Sequence, residues 1–224
     1  GTYASLANPT PGGPNSTSVT YDGFVLDADC APARGFYDSP VTVTIWTGTP
    51  GATIRYTLDG SEPTTSHGTV YSSPVRVAPG GGKGAVPLRA VAYKSGALPS
   101  EVKTHTYVFP ASVVRQSSSP SGFPSTWNGF PADYEMDDRV VDDPGHRDLV
   151  LAGLRAVPTL CLSTDVDNLF GSSQGIYANP SREGIAWDRA EDAVIQVSGP
   201  SKPVTLKRKG RKLGVLWMNV GEVH

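Results

Sequence analysis

The chain has 224 residues, 38% of them hydrophobic, which is enough for one large or two small domains and excludes disorder throughout. Its 19 basic residues nearly cancel 21 acidic ones, leaving a net charge of −2, so no global field draws the protein to nucleic acid or an anionic membrane. With 25 glycines and 20 prolines, strands, turns and long loops are favoured over helices.

The start, Gly1-Thr2-Tyr3-Ala4, lacks the basic and apolar stretches of a signal peptide and reads as a processed or excised end. Residues 1–20, with Pro9, Pro11, Gly12, Gly13 and Pro14, read as a linker. Asn15-Ser16-Thr17 fits a glycosylation acceptor, a pattern that polar linkers also produce by chance. From Asp38 the pattern changes: Val41, Val43 and Ile45 alternate with Thr42, Thr44 and Trp46, and Ile54, Tyr56 and Leu58 alternate with Arg55 and Thr57. Asp59-Gly60 then supplies a tight turn and Pro63 stops further ladder bonding. Further strands are predicted at Thr69–Tyr71, Val75–Val77, Pro87–Lys94 and Glu101–Phe109, with Ile45, Ile54, Tyr56, Leu88, Ala90 and Tyr107 in the core. Short strands with a turn signal about every ten residues and no amphipathic helix among them predict a β-sandwich. Pro79-Gly80-Gly81-Gly82-Lys83-Gly84 lacks the Lys-Ser/Thr ending of a phosphate loop and reads as a flexible hairpin loop.

Residues 110–135 form a second Pro/Ser-rich connection carrying Trp127 and Phe130. Asp143 caps a helix whose first turn holds Pro144, whose apolar stripe is Val150, Leu151, Leu154 and Val157, and which Pro158 ends. Thr159–Thr164 and Gly175–Ala178 read as strands, Asn168–Phe170 as a helical turn, and 191–224 as a β-hairpin or meander turning near Gly210.

Ala52 to Pro63, followed by Tyr71-Ser72-Ser73-Pro74 and Leu88-Arg89-Ala90-Val91-Ala92, resembles the chitobiase/β-hexosaminidase carboxy-terminal-type module over about 38–109. The resemblance implies an immunoglobulin- or fibronectin-like sandwich that accompanies secreted glycosidases and surface proteins without hydrolysing anything itself. Asn8 to Asn15 resembles the closing segment of lamin-tail-like domains. Pro158 to Asp165, Asn168-Leu169-Phe170, Gly175 to Asn179 and Trp187-Asp188-Arg189 resemble the opening of a CotH-type domain, a family of atypical secreted kinases whose catalytic residues lie beyond that segment. Val194 to Pro200, Lys202-Pro203-Val204 and Leu216 to Val220 are similar to a periplasmic segment of an uncharacterised proteobacterial membrane-protein family.

Several chemical motifs compete with plainer readings. Gly171-Ser172-Ser173-Gln174-Gly175 spells G-x-S-x-G, yet the strand, helix and downstream His of a nucleophile elbow are not predicted around it. Asp165, Asp167 and Asn168 crowd like calcium ligands but break the EF-hand pattern, because Leu169 and Phe170 take ligand and glycine places. The acidic run with Asp137, Asp138, Asp142 and Asp143 is a candidate metal site and, alternatively, a solvated loop. Lys207, Arg208, Lys209, Arg211 and Lys212 are a candidate anion site, or the charged edge of a hairpin. Trp46, with Tyr56 and Tyr93, is a candidate carbohydrate platform if the three lie in one row. His67, His105 and His146 have no carboxylate or serine at a recognisable spacing, and Cys30 and Cys161 read either as separate buried thiols or as a pair.

The expected fold is therefore mainly β, a sandwich plus a smaller mixed α/β or irregular C-terminal region. Its expected segments are 1–37, 38–109, 110–190 and 191–224. The expected role is a non-catalytic structural or adhesive module, without cofactor, of a secreted or cell-surface bacterial protein, the periplasm included. The alternatives are a carbohydrate-binding accessory module and the beginning of a CotH-type kinase. Expected partners are other domains of the parent protein, surface components or polysaccharide, with no nucleic acid and no membrane span.

Overall fold

Period-two alternation puts Val43 and Ile45 on one side of an extended chain and Thr42, Thr44 and Trp46 on the other, so that segment must lie between a core and water. The computed structural model describes residues 3–8, 16–127, 129–156, 159–164, 166–173, 175, 177–179, 181, 194–198, 202–208 and 211–218. The chain opens on an antiparallel pair, β1 (Tyr3–Asn8) and β2 (Ser16–Tyr21), so the segment expected to be a linker carries strands. Its turn signals fall at 9–15, outside the described residues, and the run after them, Ser16–Tyr21, holds the strand formers Thr17, Val19, Thr20 and Tyr21.

Ten strands follow: β3 (Gly23–Phe24), β4 (Ala28–Ala31), β5 (Gly35–Phe36), β6 (Val41–Thr47), β7 (Thr53–Thr57), β8 (Thr69–Val70), β9 (Val75–Val77), β10 (Ala85–Tyr93), β11 (Ala97–Leu98) and β12 (Lys103–Val108). They form a five-stranded sheet in the order β5-β12-β10-β7-β8 and a three-stranded sheet in the order β4-β6-β9, while β3 and β11 make a short parallel bridge. Most pairings are antiparallel, but β5 runs parallel to β12. The two sheets close on each other. Ala28, Cys30, Val43, Ile45, Val75 and Val77 from the smaller one meet Ile54, Leu88, Ala90, Ala92 and Tyr107 from the larger. Five of the six predicted core residues are buried, and Tyr56 is half-buried against them. Tyr107 is completely enclosed, and its hydroxyl donates to the Pro32 carbonyl at 2.7 Å, which satisfies the polar end of the ring. The core also takes in Val25, Ala28 and Cys30, so it begins before residue 38. A two-residue strand such as β5 shows no alternation, which is why the sequence pattern alone starts the sandwich late.

The remaining elements are α1 (Pro110–Val113), β13 (Thr126–Trp127), β14 (Phe130–Pro131), α2 (Asp138–Val141), α3 (Pro144–Ala156), β15 (Thr159–Ser163), α4 (Val166–Phe170), β16 (Val194–Ser198), β17 (Lys202–Arg208) and β18 (Arg211–Met218). The predicted helix is α3, and Asp143 takes the Gly145 amide at 2.7 Å at its start. Three further helices of four or five residues are too short to show a helical period. Tyr177 and Ala178 lie in a turn rather than a strand, since the Tyr177 amide donates back to Leu169 at 2.8 Å. Of the hairpin or meander expected in the tail, the structure has a hairpin-like pair, β17 antiparallel to β18. The first strand of the tail, β16, pairs with β15 from Thr159 opposite Ser198 to Ser163 opposite Val194, so 191–224 is joined to the preceding segment by a ladder.

The loop expected to be a flexible hairpin is a packed seam. Gly81 and Gly82 have φ of +61° and +75°, and their carbonyls accept the Ser121 and Ser117 amides at 2.9 and 3.0 Å. A Cβ on Gly84 would lie 2.4 Å from the Val113 backbone nitrogen. Gly84→Ala should therefore cost about 1–3 kcal/mol as an overpacking change. Gly80→Ala, with nothing within 4 Å of the new carbon, should stay within about 0.5 kcal/mol of the parent. Urea unfolding followed by circular dichroism checks both, and equal midpoints for the two variants would contradict the packed seam.

Candidate functional site

The three aromatic candidates occupy three different surfaces. Trp46 is 45% exposed on the outer face of the three-stranded sheet, in register with Asp29. Tyr56 follows Ile54 by two residues and so faces the core. Tyr93 is on the outer face of the five-stranded sheet, where its hydroxyl accepts from Arg55 Nε at 3.1 Å. The single row required of a Trp46–Tyr56–Tyr93 platform is not formed, because the first residue belongs to one sheet and the other two to opposite faces of the second.

The acidic run is spent locally. Asp137 caps α2 and chelates the Arg139 guanidinium at 2.6 to 3.1 Å. Those bonds hold its carboxyl down at about 2. Asp142 pairs with Arg115 at 2.5 Å, and Asp143 caps α3 and meets His146 Nδ1 at 2.8 Å. Asp138 begins α2. Among the described residues no three His, Cys, Asp or Glu side chains converge as a metal site would require. Asp165 lies outside the described residues. In the basic run, Lys207 stands opposite Lys212 and Arg208 opposite Arg211 at the closed end of the β17–β18 pair, while Lys209 and Gly210 fall outside the description.

All three internal histidines have partners that sequence spacing did not reveal. His67 Nε2 lies 3.1 Å from Ser61 Oγ, and that hydroxyl donates to Asp59 Oδ1 at 2.6 Å. Burial alone would raise the Asp59 carboxyl, but side-chain and backbone hydrogen bonds from Ser61 outweigh it and keep the group ionised. The only hydroxyl proton of Ser61 is thus committed to Asp59, so His67 must donate to Ser61 and cannot serve as its base. Ser173 sits in a turn after α4, closed by the Gly175 amide on the Gly171 carbonyl at 2.7 Å, which is not the strand–nucleophile–helix geometry of an elbow. Both cysteines are free thiols. Cys30 is buried, which pushes it up to about 12. Cys161 is raised by burial against the opposing effect of a Thr106 hydrogen bond.

Among the described residues a cleft of about 970 Å3 lies between the outer face of the five-stranded sheet and the layer made by 110–170. One wall is the Asp59-Gly60-Ser61 turn, which docks so closely that a Cβ on Gly60 would sit 3.3 Å from the Thr164 carbonyl oxygen. The other carries Lys83, 5.7 Å above the Phe123 ring, with Gln116 and Tyr134. Thr106 and Val108 of β12 also line it, together with Cys161 and Ser163 of β15. No sequence pattern marks this site, because Phe123 stands alone in a Pro/Ser-rich stretch and Lys83 in a glycine run. A lone aromatic inside such a stretch was the available signal.

Residues 32–104 match the family described as Chitobiase/beta-hexosaminidase C-terminal domain. No curated protein and no solved structure matches the chain. The match supports the sandwich resemblance, and nothing comparable supports the lamin-tail-like, CotH-like or periplasmic resemblances of the flanks.

His105 offers a pH test. Its side chain is 12% exposed, its Nδ1 has no hydrogen-bond partner among the described residues, and Nε2 is 3.6 Å from Asp29 Oδ1. Burial first, then Arg34 and Lys103, lower its pKa against the opposing pull of Asp29. A histidine depressed in the folded state contributes full stability above its unfolded value of 6.5, and that stability falls as pH drops below it. The urea midpoint should therefore decrease between pH 7.5 and 5, and His105→Gln should remove much of that decrease. An unchanged pH dependence in the variant would place the effect elsewhere.

Proposed function

We propose that this chain is a non-catalytic accessory module of a secreted or cell-surface carbohydrate-active protein, holding neighbouring domains on a rigid sandwich. The observation that carries this reading is the match of residues 32–104, most of the sandwich, to the chitobiase/β-hexosaminidase C-terminal domain. The polar constellations are consistent with it. Ser61 has its proton tied to Asp59, and Asp137, Asp142 and Asp143 serve as caps and ion-pair partners rather than as a facing pair of carboxylates. The partners are other domains of the parent protein. A second reading, that the module also binds polysaccharide, is favoured by the cleft between the sheet and the outer layer.

The purified chain, incubated with 4-nitrophenyl N-acetyl-β-glucosaminide and with chitin oligosaccharides, should release neither nitrophenol nor new reducing ends above buffer. Turnover that follows the chain through purification and disappears in Asp59→Asn would overturn the non-catalytic reading.

A further inference from the structure

We propose that the cleft between the Asp59–Ser61 turn and Phe123 binds a neutral oligosaccharide, an inference that rests on the carbohydrate-linked reading above. The space, about 970 Å3, is of the size that ligand clefts have, and it is walled by two layers held together at the glycine seam. Its chemistry is mixed in a particular way. At the turn, both bonds from Ser61 fall on Asp59 Oδ1, and Oδ2 accepts from no other described residue, which leaves an ionised acceptor at the wall. Across the cleft, Lys83 lies over an aromatic ring and has no carboxylate partner among the described residues. Gln116 gives its amide N–H to the Tyr134 carbonyl at 3.0 Å and keeps its oxygen for another donor.

With Asp59 of one sign and Lys83 and Arg76 of the other, the lining does not build a field of one sign, so neither a phosphate nor a polycation is matched by all of it. A hydroxyl group is matched by both walls, since it donates to Asp59 or Gln116 and accepts from Lys83. Phe123 supplies the complementary apolar surface. Its ring is more than a third exposed and is fixed by edge contacts with Tyr134 at 5.7 Å and Phe170 at 6.3 Å. The C–H face of a pyranose against such a ring, with its hydroxyls turned to the walls, uses every group named. Trp46, on the far sheet, takes no part.

The test is isothermal titration calorimetry of the full chain with chitohexaose, cellohexaose and xylohexaose, and with a sulfated hexasaccharide for comparison. At least one neutral hexamer should bind, about tenfold or more weaker to Phe123→Ala and to Asp59→Asn, with Trp46→Ala unchanged. Both weakened variants should retain the parent's unfolding midpoint within a few degrees. Should either fail to fold, Lys83→Gln, at a half-buried position in the cleft lining, supplies the same reading. Hydrogen exchange should show protection at 58–61 and 120–123 on adding sugar. Binding by no neutral hexamer, binding only of the sulfated one, or binding lost in Trp46→Ala and kept in Phe123→Ala each overturns the proposal. Any of these results leaves the hydrolysis assay unaffected, so the two readings fail separately.

Discussion

The rest of the structure depends on a steric constraint at the end of the glycine run. Because Gly84 has no side chain, the start of the longest strand in the sandwich comes within contact distance of the Val113 backbone, and the Gly81 and Gly82 carbonyls can take up the Ser121 and Ser117 amides. The chain is thereby turned back across the sheet it has just completed. The layer it forms helps to cover the outer face, where Arg89, Thr104 and Thr106 are buried. Arg89 is held there by donating to the Gly60 carbonyl at 2.8 Å, which also steadies the turn at the cleft wall. Without that close approach there would be neither a covered face nor a cleft.

Legibility in the sequence followed the range of the interactions. Strands five to nine residues long, with one buried face, are written as local alternation, and Ile45, Ile54, Leu88, Ala90 and Tyr107 are where that alternation puts them. The parity that hides Tyr56 was also readable, since Ile54 and Tyr56 share a face whatever the fold. What could not be read is which face of which sheet meets which other segment. Trp46 and Tyr93 look alike in sequence and lie on separate sheets, and Ser61 reaches His67 only because the turn after β7 folds back before β8. The glycine run is ambiguous in sequence for a related reason: glycine serves freedom and close packing equally well, and only the partner across the seam distinguishes them.

Much of the apparent chemistry is spent inside the fold. Carboxylates that look like metal ligands cap helices or clasp guanidinium groups, and the thiols are held protonated by burial. These are local solutions to local needs: an orphan amide at a helix start, a cation beside it, a small apolar gap. The cleft differs because its lining groups come from parts of the chain far apart in sequence, and Asp59 and Lys83 in it form no ion pair with each other among the described residues.

The parallel pairing of β5 with β12 has a mechanical meaning. Gly35 lies beside Tyr107 and Phe36 beside Val108, and the Tyr37 amide adds a bond to the Val108 carbonyl at 2.8 Å. The first strand of the larger sheet and its last are therefore adjacent and point the same way. Tension applied at the two ends of this span pulls neighbouring strands in opposite directions along their common axis. The bonds between them are loaded in shear and must break together, whereas a hairpin pulled from its open end parts one rung at a time. Strung between two larger bodies, the sandwich resists stretching along the direction in which the chain passes through it.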